Sequence, residues 1–278
     1  MRLGLGRPLG ASKSAGLSQP LYDLIGHTYV KSRRADPAIA KTIAERLRLR
    51  PTGDYLDLAC GTGNYTVALN ALGGHWTGID ASDVMLAQAR QKSTAITWTQ
   101  SSAEELPFAD AAFDGAICTL AIHHFPDLAS PFAEVRRTLR SGHFVIFTGL
   151  AEQMRQYWLC HYFPEMMARS IEKMPSESQI RVALLRAGFR SATVAPFFVT
   201  TELQDLFLYS GKDRPKIYMD ADIRANISSF AQLACATELQ EGLVRLKSDL
   251  QSGAFDKIKA QFAAKVGDYA YIAAPTDG

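Results

Sequence analysis

The stretch DLACGTGNYT, Asp57 to Thr66, decides how the rest of the chain reads. It joins an apolar run at 55–59, with the look of a buried strand, to a helical pattern at 64–72. Between them stand Gly61 and Gly63, and a backbone without Cβ atoms there can turn tightly and pass close to a ligand. A Gly-x-Gly turn also occurs as a bare strand-to-helix connection, so its surroundings have to decide. The next apolar run, 75–80, ends in GIDAS, with Asp80 at its carboxyl edge. An acid in that position accepts hydrogen bonds from both hydroxyls of a ribose. The competing reading makes Asp80 the N-cap of the following helix, a job for which Ser82 is equally suited.

Outward from this pair the chain alternates strand and helix. Further strands are expected at 95–100, 113–120 and 143–148, with helices at 37–49, 83–91 and 131–140, the last with Pro131 in its first position and Gly142 just past its end. Steady alternation predicts an α/β fold, a doubly wound parallel sheet with helices on both faces. Past residue 150 the pattern changes. Residues 151–174 are rich in aromatics and methionine, Ser176 with Gln179 forms a capping box for a helix ending at Gly188, and 192–199 is a strand. Helical spacing returns over 220–264, with Thr237 and Gln240 as a second capping box, and 269–273 is a last strand. The insertions 151–174 and 200–264 therefore form a helical cap on one domain, 20–278. Residues 1–19, with four Gly and no apolar periodicity, read as a flexible N-terminal arm.

Composition narrows the classes. Thirty Lys and Arg against 28 Asp and Glu leave a net charge of +2, too balanced for a general nucleic-acid binder. No run approaches 18 apolar residues, so no membrane partner is expected, and the absence of a secretory pattern points to the cytoplasm. Cys60, Cys118, Cys160 and Cys235 are scattered, without a Cys-x-x-Cys pair, so no metal is expected.

Four segments in order, DLACGTGN, IDAS followed by VMLAQA, SSAEELPF and FDGAICTLAIHHFPD, carry a resemblance to the class I S-adenosylmethionine-dependent methyltransferases that modify small molecules. The likeness spans about residues 22–199 and the last strand. It implies a Rossmann-like, seven-stranded, mostly parallel sheet with a reversed final strand and S-adenosyl-L-methionine across the carboxyl ends of the first strands. The loop at Gly61 and Gly63 would then lie against the methionine part, Asp80 would take the ribose hydroxyls, Met85 would pack on adenine, and Asp57, Ala59, Ala81 and Leu120 would complete the cofactor set. Ser102 stands where the pattern commonly has Asp, a stronger acceptor for the adenine amino group. The resemblance thus gives adenine to Ser102, Ala103 and Glu104 together, with a solvated loop as the alternative for Glu104.

His123 and His124 follow the fourth strand, where a histidine could deprotonate an acceptor or simply bond the strand end. Trp158, Tyr162 and Phe163 are candidates for an apolar acceptor pocket, although the same spacing suits the core face of a helix. Near the front, Tyr22, Tyr29, Arg33 and Arg34 could close over the cofactor, an arginine pairing with its carboxylate, or form an exposed basic face. The expected function is methyl transfer to a small-molecule acceptor, a metabolite or natural product. Two rivals remain. A nicotinamide-dependent oxidoreductase shares the glycine turn, but its third glycine would fall at Thr66 and it leaves Asp57 unexplained. A non-catalytic cofactor-binding protein would use the same fold.

Overall fold

The computed structural model describes residues 33–262 and 266–276. The arm 1–19, Tyr22 and Tyr29 lie outside the described residues. Helix α1 (Pro37–Leu47) starts where Asp36 accepts from the amides of Ala38 and Ile39, and it buries Ile39, Ala40, Ile43 and Leu47 on one stripe. The alternating part then runs β1 (Asp54–Leu58), α2 (Asn64–Asn70), β2 (His75–Asp80), α3 (Asp83–Lys92), β3 (Thr97–Gln100), β4 (Gly115–Thr119), a 3₁₀ turn at Ile122–His124, α4 (Ala129–Thr138) and β5 (His143–Thr148). The first insertion holds α5 (Ala151–Met154), α6 (Leu159–Tyr162) and α7 (Pro164–Lys173). It is followed by α8 (Glu177–Arg186) and β6 (Thr193–Phe197). The second insertion holds α9 (Ala221–Ala225), α10 (Ser228–Leu233), α11 (Ala236–Ser252) and α12 (Ala254–Gln261), and β7 (Tyr269–Pro275) closes the sheet.

The seven strands lie in the order β3-β2-β1-β4-β5-β7-β6. All neighbours pair parallel except those of β7, which runs antiparallel to both β5 and β6. The expected reversed strand is present. Alternation along central strands divides the core in two. Tyr55, Val145 and Phe147 face α1 and the cap, while Leu56, Leu58, Phe144 and Ile146 face the side that carries Phe132, Val135, Ile180 and Leu184. Strand order turns back between β1 and β4. Their carboxyl ends diverge into a crevice, the place where open α/β sheets bind ligands.

Two details correct the sequence reading. Pro131 is the third residue of α4, not the first, because the helix begins at Ala129. Thr237 does not cap α11. Cys235 is the extended residue before the helix, and its Sγ accepts from the Glu238 amide, so the helix starts two residues earlier. The helical spacing expected over 220–264 is present as four helices among the described residues, with Gly253 at φ 78 breaking the last two apart. The box at Ser176 and Gln179 forms reciprocally, at 3.2 and 2.8 Å.

Candidate active site

A cleft of about 460 Å³ opens at the carboxyl ends of β1, β2 and β4. Its floor is the β1–α2 loop. Gly61 adopts φ 56, and a Cβ there would meet nothing within 4 Å, so the missing side chain leaves open space on the cleft side. Gly63 serves differently. It is at φ 72, and a Cβ would fall 2.3 Å from the Trp98 ring, so its missing side chain makes room for Trp98 and it does not line the cleft. Two residues with side chains, Ala59 at φ 55 and Leu120 at φ 53, also hold the left-handed region at the ends of β1 and β4, and both line the cleft. Such backbone costs free energy and tends to mark functional sites.

Asp80 ties this loop to the second strand. One carboxylate oxygen accepts from the Gly61 amide at 2.8 Å, the other from the Ser82 amide at 2.9 Å. The N-cap of α3 is Ser82, whose Oγ accepts from the Met85 amide, so Asp80 is not the cap. Asp57 is buried, and Thr66 donates to its Oδ2 at 2.6 Å. Thr66, where a dinucleotide fingerprint would need glycine, is thus the partner of the acid that fingerprint leaves unexplained. Oδ1 of Asp57 is buried without a hydrogen-bond partner, and burial, with the Asp80 charge adding to it, pushes the carboxyl up to about 7. Lys92 braces the loop by donating to the Thr62 carbonyl and Asn64 Oδ1, both at 2.7 Å.

Along the wall, Ala81, buried Met85 and Ala103 line the cleft together with Ser102 and Glu104. The Ser102 hydroxyl donates to the Glu104 carboxylate and accepts from the Glu104 amide. The negative charge that Ser102 lacks is therefore supplied two residues later. Arg34 is exposed and outside the cleft. Its neighbour Arg33 takes the place expected for an arginine, and its side chain grips Asp205. Tyr65 also donates to Asp205, at 3.2 Å, and Asn64 donates to the Arg33 carbonyl at 3.0 Å. Asp205 comes from the second insertion, and no local pattern in the sequence marks it.

A second chamber of about 90 Å³ shares Arg33, Leu120 and His124 with the cleft. His123 lines only this chamber, and its Nδ1 is buried without a partner. Enclosure, with the neighbouring charges of His124, Lys173 and Arg33, holds His123 well below the ordinary imidazole value. Partial desolvation and the Lys173 charge push His124, which still meets solvent, down to about 4, so both rings are neutral at pH 7. Both insertions supply walls, Met154, Ser170, Lys173 and Met174 from the first, Phe207 and the α10 residues Ser229 and Gln232 from the second.

Trp158, Tyr162 and Phe163 do not line either cavity. All three are fully buried in the core between cap and sheet. Trp158 donates to the Lys212 carbonyl at 3.1 Å and stands edge-on to Tyr218 and Phe255. Tyr162 donates to Asp249 at 2.9 Å, and Phe163 packs against Phe230. A helical stripe of aromatics packs a core and lines a pocket with the same period, and here the core takes them.

Among the described residues, Glu165, Cys235 and Glu238 bring ligand atoms within 4.8 Å of one another, a convergence the sequence spacing hides. Glu238 already accepts from the amides of Glu165 and Met166. No helix among the described residues is long and apolar enough to cross a membrane.

Residues 56–147 match the family model described as a methyltransferase domain. Over 98 residues the chain is 40% identical to a malonyl-[acyl-carrier protein] O-methyltransferase of Erwinia pyrifoliae, a match that takes in 35% of this chain and only 37% of that one. It is 30% identical over 168 residues to an O-methyltransferase of Aspergillus nomiae, covering 56% of this chain and 72% of the other. The crystal structure of a protein described as a methyltransferase from an antibiotic biosynthesis pathway of Anabaena variabilis superposes with a TM-score of 0.79 at 32% identity. That match covers 87% of this chain and 98% of the other. With the sheet order, the glycine loop and the acid after β2 in place, the chain belongs to the class I S-adenosylmethionine-dependent methyltransferases.

Proposed function

We propose that the chain moves a methyl group from S-adenosyl-L-methionine to a small-molecule acceptor, a metabolite or natural product, that sits in the second chamber. The observation that carries this reading is the shared wall. The crevice with Asp57, Gly61 and Asp80 and the chamber under the cap have Arg33, Leu120 and His124 in common. Residues 20–278 act as one methyltransferase domain, and the insertions 151–174 and 200–264 act as the cover over the acceptor. A chamber of this size, and a balanced charge, favour a small cytoplasmic acceptor over nucleic acid.

The residues of the cleft suit the cofactor. The unpartnered Oδ1 of Asp57 is an acceptor for the α-ammonium, and the open face of Gly61 admits the methionine part beside the backbone. Asp80, in the cleft lining, offers its carboxylate to the ribose hydroxyls. The Ser102–Glu104 pair offers an acceptor to the adenine amino group, and Met85 an apolar surface to its ring. When bound, the sulfonium supplies an electrophilic methyl whose transfer removes the positive charge from sulfur. The protein's part is mainly alignment, which can contribute about 7 to 11 kcal/mol. His124, which reaches both cavities, holds the acceptor by accepting a hydrogen bond on its neutral ring. His123 lies deeper, and its role is to shape the chamber.

Incubation with a metabolite extract and S-adenosyl-L-methionine carrying a ¹³CD₃ methyl, followed by mass spectrometry, tests the reading. A product bearing one labelled methyl is expected. Cofactor binding with no labelled product from any extract would leave a holding protein instead.

A further inference from the structure

The second chamber has an unbalanced charge. Its lining holds Arg33, His123, His124 and Lys173, and no carboxylate among the described residues. The Arg33 charge is matched by Asp205 from the cleft side, and both histidines are neutral at pH 7. Lys173 makes no hydrogen bond or ion pair with any described residue. Its ammonium is felt by both rings, since it helps to hold each imidazole below its ordinary value. The α7–α10 contact sets the place. Ser170 and Ser229 bond through their hydroxyls at 2.7 Å, Arg169 donates to the Leu233 carbonyl at 2.9 Å, and Lys173 and Gln232 each follow one of the serines by a turn. Gln232 Nε2 is buried and has no partner, a donor that a complete site would satisfy. Most of the remaining wall is apolar, including Met154, Met174, Phe207 and Ile227.

We propose that the chamber selects an anionic acceptor, a compact acid with an apolar body whose carboxylate is met by the Lys173 ammonium and the Gln232 amide. This rests on the reading that the chamber receives the acceptor. An unmatched ammonium and an unmatched amide donor favour an anion, and apolar walls take a short hydrocarbon or ring behind it. A cationic amine acceptor would meet the Lys173 ammonium as a like charge and no carboxylate of the chamber lining.

The probes are 4-fluorobenzoate and its neutral counterpart 4-fluorobenzamide, titrated into the full chain by ¹⁹F NMR with and without S-adenosylhomocysteine. Benzoate should bind about tenfold or more tighter than benzamide, the ratio set by one charge-assisted hydrogen bond. Lys173→Gln should abolish that preference, Lys173→Arg should restore most of it, and Gln232→Leu should weaken benzoate alone. Lys173 is exposed to solvent as well as to the chamber, so its replacement leaves the core untouched. Equal binding of the two probes, no binding of either, or an unchanged preference in Lys173→Gln would overturn the proposal. Selective benzoate binding in a chain that does not bind S-adenosylhomocysteine would instead remove the methyl-transfer reading and leave the anion site standing.

Discussion

Arg33 donates to both carboxylate oxygens of Asp205, at 2.6 and 3.2 Å, across 172 residues of chain. The Asp205 side chain is 2% exposed and that of Arg33 14%. This fork joins the segment before α1 to the second insertion, and both residues line the cofactor cleft. Removing one partner of a buried ion pair costs about 3 to 5 kcal/mol. Asp205→Ala should therefore lower the unfolding free energy by roughly that amount in urea, and the double variant with Arg33→Ala should recover part of it. A loss below about 1 kcal/mol would make the pair a surface contact.

The two glycines of the loop should separate in their effects. Gly61→Ala meets open space, so it costs only the left-handed backbone, about 1 to 2 kcal/mol, while its methyl enters the cleft. Gly63→Ala adds a collision with Trp98, for about 1 to 3 kcal/mol more. Thermal unfolding and S-adenosylhomocysteine titration on both variants check this. Gly61→Ala should lose affinity with a modest drop in midpoint, whereas Gly63→Ala should lose mainly stability.

Asp57 gives a pH signature. In the folded chain its carboxyl titrates near 7, against an ordinary 3.8, so between those values the native state holds more protons than the unfolded one. Stability from this group is therefore greatest below about pH 4 and falls as pH rises to about 7. An ammonium placed on Oδ1 favours the ionised form, so S-adenosylhomocysteine affinity should rise with pH up to about 7 and flatten above. Asp57→Asn should remove both slopes. Affinity independent of pH in the wild type would mean that Asp57 does not face the ligand's charge.

Trp158→Ala should act on the fold and not on the cofactor. The ring is fully buried among Tyr162, Tyr218 and Phe255, and its loss should cost about 3 to 5 kcal/mol. Calorimetry under conditions where the variant is folded should return wild-type S-adenosylhomocysteine affinity. A weakened affinity would tie the aromatic cluster to the cleft.

What could be read from the sequence was local. The bounds of β2 and β5 follow from short apolar runs closed by turn residues, and the Asp57–Thr66 loop carries its glycines and its acid within one strand-to-helix junction. Arg33–Asp205 and the Glu165–Cys235–Glu238 convergence depend on how the insertions fold back, which periodicity does not encode. The aromatics at 158–163 were ambiguous for a different reason, since core and pocket share one helical period and only the packing separates them. Asp80 was legible as an acid at a strand edge, but its bonds to the Gly61 and Ser82 amides were not. Those bonds mean that Asp80→Ala would disturb the loop as well as any ligand.

For that reason the central claim is best tested on the intact chain. Titration calorimetry with S-adenosylhomocysteine and, separately, with NADH measures it. One S-adenosylhomocysteine per chain should bind, weakened in Gly61→Ala, with no heat from the dinucleotide. Binding of NADH alone, or S-adenosylhomocysteine affinity unchanged by Gly61→Ala, would contradict a cofactor seated on the β1–α2 loop.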